Sequence, residues 1–189
     1  MSLSRPVPRR HIHTRAIECH GYLREDGLWD IEGTLMDLKT YSFDNIDRGV
    51  VAAGEPVHKM VVRLTVDENL VVQHAEAFTA ASPYIICGDA NSNVPKLAGL
   101  QIGPGWRAGV KKVMGRTRGC THIRDLIMGP VALTAYQSII PWRNNKTQQP
   151  PGNKPTILGT CHGYATDGTI VERIWPEHFT GEGRQSGFD

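Results

Sequence analysis

The chain has 189 residues, of which 40% are hydrophobic and 21% are charged, as in an ordinary globular domain. That length allows one well-buried core and is short for two. The net charge of +2 is too small to indicate nucleic-acid binding. No run of about 20 apolar residues predicts a membrane span, and the polar amino terminus lacks the apolar core of a signal peptide. We expect one cytoplasmic domain over residues 11–179, without nucleic-acid or membrane partners, and with flexible termini at 1–10 and 180–189.

Two β-hairpins are predicted in the first half of the chain. Residues 12–22 and 28–41 alternate in polarity around a turn at Glu25-Asp26-Gly27, which is typical of a hairpin. Residues 58–66 and 70–79 repeat the pattern around Asp67-Glu68-Asn69. The four strands predict an antiparallel meander, and residues 42–56 between the hairpins are predicted to form a long loop, in which 50–53 either pair at an edge or cover the core.

The second half of the chain is predicted to be mainly helical. Pro95 begins a short helix, residues 106–114 have apolar side chains at helical spacing, and an apolar helix runs over 121–140 with Thr121 as its N-cap. Pro130 is expected to kink or split that helix. A surface loop over 141–155 precedes strands at 157–164 and 169–175.

These elements predict an α+β fold. We expect an antiparallel sheet of four to six strands with the helices of residues 95–140 packed on one face, and we expect strand 169–175 to join the sheet.

The segment Gly119–Leu126 carries the densest group of reactive side chains. A helix N-terminus favours a thiolate and attracts anions, so the predicted catalytic residues are Cys120, His122 and Asp125. The structural alternative is a buried cysteine with a histidine that caps the helix.

The four cysteines, Cys19, Cys87, Cys120 and Cys161, are widely spaced and form no CxxC pair, which argues against a disulfide framework or a closed zinc finger. Cys87 lies between the β half and the helical half. We therefore predict a metal site formed by Cys87, Cys120 and His122, with zinc or an iron–sulfur cluster as the cofactor. The alternative for Cys87 is an inert thiol in a turn formed by Asp89 and Asn91.

Two charged stretches have both a binding and a structural interpretation. The basic stretch 107–118 predicts an anion-binding surface, with Trp106, Arg116 and Arg118 as the cofactor-binding residues; the alternative is a solvated helix face with Trp106 in the core. The acidic stretch contains carboxylates that we interpret as solvated, because general acid–base chemistry would need a partner that the sequence does not identify. Its members are Asp30, Glu32, Asp37 and Asp44.

One tetrapeptide, Cys-His-Gly-Tyr, occurs at 19–22 and again at 161–164. Each copy is followed by Asp-Gly and an apolar run, but the match does not extend further. We interpret the repetition as chance or shared hairpin chemistry, with a paired site as the alternative.

Three segments together resemble an uncharacterised bacterial family of unknown function. They are Trp29–Gly33, Leu100–Trp106 and Arg118–His122, and the resemblance covers residues 11–179. A more distant similarity is to the iron–sulfur scaffold proteins of the NifU/SufE type. That similarity implies helices on one face of an antiparallel sheet, with Cys87 and Cys120 as cluster ligands and His122 in support, although the order of His and Cys at the helix start differs.

Two functional hypotheses follow from the sequence. The first is a thiolate or metal centre at Cys120, His122 and Cys87 that handles sulfur or an iron–sulfur cluster, or works as a thiol enzyme. The second is a non-catalytic accessory domain with structural cysteines that recognises a small anionic molecule or a partner protein. The sequence leaves open whether the protein is an enzyme and whether it forms a homo-oligomer.

Overall fold

The computed structural model describes residues 3–147, 155 and 157–181, without the side chains of 145–147. The chain forms two compact units, Met1–Thr147 and Gln148–Asp189. The first unit contains the sheet and the principal helices, and the described part of the second contains one short α-helix. The prediction of one domain over 11–179 stays a prediction.

The first unit is built on a four-stranded antiparallel sheet. In their order across the sheet, the strands are β1 (His13–Leu23), β2 (Trp29–Lys39), β5 (Pro56–Val66) and β6 (Val72–Ala81). Both predicted hairpins are therefore confirmed, with boundaries moved by two residues or fewer. The long loop predicted over 42–56 instead contains a small hairpin of β3 (Phe43–Asn45) and β4 (Gly49–Val51).

Residues of three adjacent strands align in rows across the sheet. In one row, Leu35 of β2 pairs with Ile17 on one side and with Met60 on the other. In the next row on the same face, Asp37 of β2 pairs with Arg15 and with His58. The β2–β5 register then shifts between Asp37 and Leu38, so regular pairing is interrupted just beyond this row. Such bulges commonly occur beside functional sites, where they redirect a side chain.

The helices of the first unit pack on one face of the sheet. They are α1 (Trp106–Met114), α2 (Thr121–Leu126) and α3 (Ala132–Thr147), and a 3-10 segment (Ile85–Leu97) follows β6. A π-helical turn, Ile127–Val131, joins α2 to α3. Pro130 lies inside it, as the predicted kink requires, because proline lacks the N–H that the regular helix would use.

The core lies between this sheet face and the helices. It contains Ile31, Leu35, Met60, Val62 and Leu64 from the strands, and Val110, Met114, Ile123, Leu126, Val131 and Ile139 from the helices. Gly33 allows close contact, since a Cβ at that position would lie 2.5 Å from Cγ2 of Val131. The α+β prediction is thereby confirmed, with four strands in the main sheet.

Several boundary predictions are wrong. Helix α3 continues to Thr147, so 141–147 are helical, and the rest of the predicted loop lies outside the described residues apart from residue 155. Cys120, with extended backbone angles, occupies the N-cap position that was predicted for Thr121.

The second unit has no strand among its described residues. The predicted strand 169–175 is instead α4 (Thr169–Ile174), and the predicted strand 157–164 consists of turns and a 3-10 turn at His162–Tyr164. β-branched residues such as Thr169, Ile170 and Val171 favour a strand only where a neighbouring strand packs beside them. The strand prediction failed because propensity does not supply that neighbour.

Candidate metal centre

Arg15, Asp37 and His58 lie side by side on three neighbouring strands, at one end of the sheet face that the helices cover. The carboxylate of Asp37 lies between the guanidinium of Arg15 and the imidazole of His58. The Asp37 side chain is 1% exposed. Arg15 donates from Nε to Oδ1 at 2.8 Å and from Nη2 to Oδ2 at 2.7 Å. His13 Nε2 lies 3.0 Å from Oδ1, and His58 Nδ1 lies 3.0 Å from Oδ2. Asp37 thus makes four polar contacts with three side chains, two of them with Arg15.

These contacts keep Asp37 ionised although it is buried. Burial alone would raise the pKa of this carboxyl, but the Arg15 guanidinium, with His13 and His58, outweighs it and lowers the pKa to about 2. The sequence interpretation of Asp37 as a solvated carboxylate is therefore wrong. Its odd position places it on the same face as Trp29, Ile31 and Leu35, all of which are buried.

A third imidazole, that of His122, comes from the first turn of α2. The rings of His122 and His58 have centroids 4.0 Å apart, and His122 Nε2 lies 3.9 Å from Oδ2 of Asp37. Burial lowers the pKa of His58, and the charge of His122 adds to the effect while Asp37 opposes it. Burial also lowers the pKa of His122, with a further contribution from Arg15. Both rings are therefore biased towards the neutral form that binds metal ions.

Asp37, His58 and His122 form a group of metal-ligand geometry. One ligand atom from each lies within 4.8 Å of the other two. Zinc bonds of about 2.1 Å in a tetrahedral arrangement separate two ligand atoms by about 3.4 Å. The distances of 3.0 Å from Oδ2 to His58 and 3.9 Å to His122 lie on either side of that value.

Cys120 lies beside this group, where its sulfur faces the other nitrogen of His122. The distance from Cys120 Sγ to His122 Nδ1 is 3.6 Å. The structure therefore brings together Cys120 and His122, as the sequence predicted. Because Cys120 contacts Nδ1 while Nε2 faces Asp37, the imidazole connects the thiol to the carboxylate.

The other predicted site residues lie in different settings. Cys87 is in the 3-10 segment, where its backbone N–H donates to Tyr84, and it is not part of the three-residue ligand group. Asp125 is 64% exposed on α2, with Arg124 3.5 Å away. The assignments of Cys87 and Cys120 as metal ligands and of Asp125 as a catalytic residue stay predictions.

The predicted cofactor-binding residues lie at the start of α1 and in the 3-10 turn that follows it. Trp106 is buried in the core, and its indole Nε1 lies 3.4 Å from the carbonyl of Ile127. Arg118 donates to the carbonyl of Lys112 at 3.0 Å, and Arg116 is exposed with a positive φ of 57°. Trp106 therefore packs as the structural alternative stated, while a cofactor role for the two arginines stays a prediction.

The repeated Cys-His-Gly-Tyr tetrapeptide adopts two different structures. Residues 19–22 lie in β1, whereas His162–Tyr164 form a 3-10 turn. In the first copy Gly21 lies against α3, since a Cβ there would be 2.2 Å from Oγ of Ser138. The two copies thus share no local structure.

Sequence reasoning missed His13, Arg15 and His58, which all contact Asp37, and wrongly interpreted Asp37 as solvated. A usable signal was present in the predicted first hairpin. A hairpin centred on Asp26 pairs Arg15 with Asp37, which is the register observed. His58 carried less signal, because no tight turn joins β2 to β5 and the sequence therefore does not set their register.

The helices of the described part of the chain are all too short or too polar to cross a membrane. No curated protein and no solved structure matches the chain. Residues 13–137 match the model of a family described as protein of unknown function (DUF2889), a segment that contains every member of the Asp37 group and covers more than half of the chain. The chain therefore belongs to the DUF2889 family, in agreement with the resemblance seen in the sequence.

Proposed function

We propose that the protein binds one divalent transition-metal ion through Asp37, His58 and His122. The observation that carries this proposal is the convergence of one carboxylate and two imidazoles, whose ligand atoms lie within 4.8 Å of one another. Two nitrogen donors and one oxygen donor suit Zn²⁺ or Fe²⁺ better than Ca²⁺ or Mg²⁺, which prefer oxygen ligands. We name Zn²⁺ as the expected ion.

A hydrogen-bonded cluster that only neutralises Asp37 would not require His122. His122 Nε2 is 3.9 Å from the carboxylate, which is too long for a hydrogen bond, and its ring lies against that of His58. Holding two partly buried imidazoles beside a guanidinium is electrostatically unfavourable once either ring is charged. A metal ion would use both neutral rings as ligands.

The donor set is typical of a catalytic zinc site more than of a structural one. Structural zinc sites are closed by four protein ligands, whereas three protein ligands leave a position for water or substrate. A bound ion there would lower the pKa of water and polarise a carbonyl or phosphoryl oxygen. We infer a metal centre of the water-activating type.

Cys120 supports this centre through His122 in the same proposal. A ligating histidine commonly donates its second ring N–H to a neighbouring acceptor, which fixes the tautomer. With Nε2 on the ion, Nδ1 would carry the hydrogen and donate to Cys120 Sγ, 3.6 Å away. Cys120 then acts as a positioning residue, in contrast to the sequence prediction of a direct ligand.

The experiment is a metal-binding measurement on the full chain. Metal-free protein is titrated with Zn²⁺ and with Co²⁺, and His58→Ala and His122→Ala are compared with His74→Ala, which alters an exposed histidine of β6. We expect one ion per chain for the wild type and His74→Ala, and loss of tight binding in the other two. Equal binding by all four proteins would exclude this site.

Other sequence hypotheses stay predictions. Sulfur or iron–sulfur handling, thiol catalysis by Cys120, the accessory-domain alternative, a homo-oligomer and a cytoplasmic location are among them. Labile-sulfide analysis of anaerobically purified protein addresses the first, and the alkylation rate of Cys120 relative to Cys161 addresses the second.

A further inference from the structure

We propose that the metal centre takes an anionic oxygen ligand, the carboxylate or phosphate group of a small molecule, on the β1 side of the site beside Arg15. This inference rests on the proposed function and names the class of ligand for the same site. Its basis is the balance of charge around Asp37 together with the exposure of the side chains that surround it.

The negative charge of Asp37 is already matched before any ion binds. Arg15 forms two hydrogen bonds with both carboxylate oxygens, so the pair carries no net charge. Histidine ligands are neutral. Adding a divalent ion would therefore leave the group near +2, and an unmatched charge in a partly buried place is costly. Among the described carboxylates, Asp125 acts on both Arg15 and His122, but it is 64% exposed and therefore screened.

The group is open on the β1 side. The side chains of His13 and Arg15 are 44% and 43% exposed, compared with 17% for His58 and 1% for Asp37. β1 is an edge strand, so no further strand of the main sheet covers these residues. A ligand entering from solvent would pass Arg15 before it reaches the carboxylate.

Arg15 also retains a donor for the ligand. Its Nε and Nη2 face Asp37, while Nη1 has no acceptor within the part of the chain that the structure describes. A guanidinium N–H pairs well with carboxylate and phosphate oxygens. The same side chain therefore holds Asp37 in place and presents a positive donor towards the open side.

The test uses Co²⁺-loaded full-length protein, whose visible absorption reports ligands on the ion. Wild type, Arg15→Gln and Arg63→Gln are titrated separately with acetate and with inorganic phosphate. Arg63 pairs with Glu32 and Glu76 on the opposite face of the sheet, so its variant is the matched control. The Co²⁺ content of each variant is measured first, which tests metal binding independently of anion binding.

We expect a saturable spectral change in the wild type and in Arg63→Gln, and an affinity about tenfold or more weaker in Arg15→Gln, as loss of a charged hydrogen bond predicts. A response to one anion alone identifies the carboxylate or the phosphate as the class. If Arg15→Gln loses Co²⁺, Arg15→Lys replaces it, with an intermediate affinity expected. No saturable change in loaded wild type, or equal affinity in all variants, would overturn the proposal while leaving the metal site intact.

Discussion

The two ends of one sheet face show how a single scaffold separates stability from chemistry. At one end, Ile31 pairs with Leu64, both fully buried under the helices. At the other end, the same two strands pair Asp37 with His58. Apolar rows stabilise the fold by removing hydrocarbon from water, whereas a buried carboxylate must be compensated by partners. The polar row is expected to stabilise the fold no more than an apolar row would, so we interpret it as functional.

Removing an apolar side chain should have the largest effect on stability. Leu64→Ala leaves a cavity in the core and should lower the free energy of unfolding by about 2–5 kcal/mol. The Zn²⁺ affinity of the remaining folded protein should not change. His58→Ala should show the opposite result, with Zn²⁺ binding lost and a smaller change in unfolding. Urea unfolding and calorimetric Zn²⁺ titration are measured for both variants. Loss of Zn²⁺ binding in folded Leu64→Ala would contradict the separation of stability from metal binding.

Gly33 lies in β2 between the apolar row and the polar row, and it packs closely against the helices. A Cβ at Gly33 would lie 2.5 Å from Val131 in the π-helical turn, so Gly33→Ala should destabilise the protein by about 1–3 kcal/mol through overpacking. Gly88→Ala is the control, because nothing lies within 4 Å of a Cβ there. Thermal unfolding measures the difference, and equal stability of the two variants would show that the helix moves freely away from the sheet.

The stabilising contribution of Asp37 should be measurable in the acid unfolding of metal-free protein. The folded pKa of Asp37 is about 2, below its ordinary value of 3.8. A lowered folded pKa stabilises the protein above the unfolded value, and that contribution is lost as pH falls through the folded one. Asp37 should thus contribute about 2 kcal/mol above pH ~4, lost between pH ~4 and ~2. Arg15→Gln should move this loss to higher pH in urea unfolding, and an unchanged pH profile would contradict the role of the guanidinium.

The smallest expected effect is that of Cys120 on the metal. Cys120→Ala removes the acceptor beside His122 Nδ1 and should weaken Zn²⁺ binding by about tenfold, while Cys120→Ser should retain most of the affinity. Cys161→Ala, which alters an exposed cysteine, is the control. A sulfur-to-metal charge-transfer band in the Co²⁺ spectrum, absent from Cys120→Ser, would instead establish Cys120 as a ligand.

Much of the fold was predictable because it depends on local patterns. Alternation around Asp26-Gly27 predicts β1 and β2, and helical spacing of Trp106 and Val110 predicts α1. Predictions failed where neighbours decide the structure. Residues 169–174 have strand propensity, but their unit has no strand among its described residues. In the candidate site, the sequence placed Cys120 beside His122 because the two are close in the chain.

The sequence by itself determined the meander, the helical second half, the interruption at Pro130 and the contact between Cys120 and His122. Each depends on side-chain periodicity or on residues within a few positions of one another. Only the tertiary structure decided that Asp37 is buried and that it meets His58 and His122. These residues are separated by 21 and 85 positions in the chain. Their proximity depends on strand register and on where the helices pack on the sheet, which are consequences of packing over the whole face.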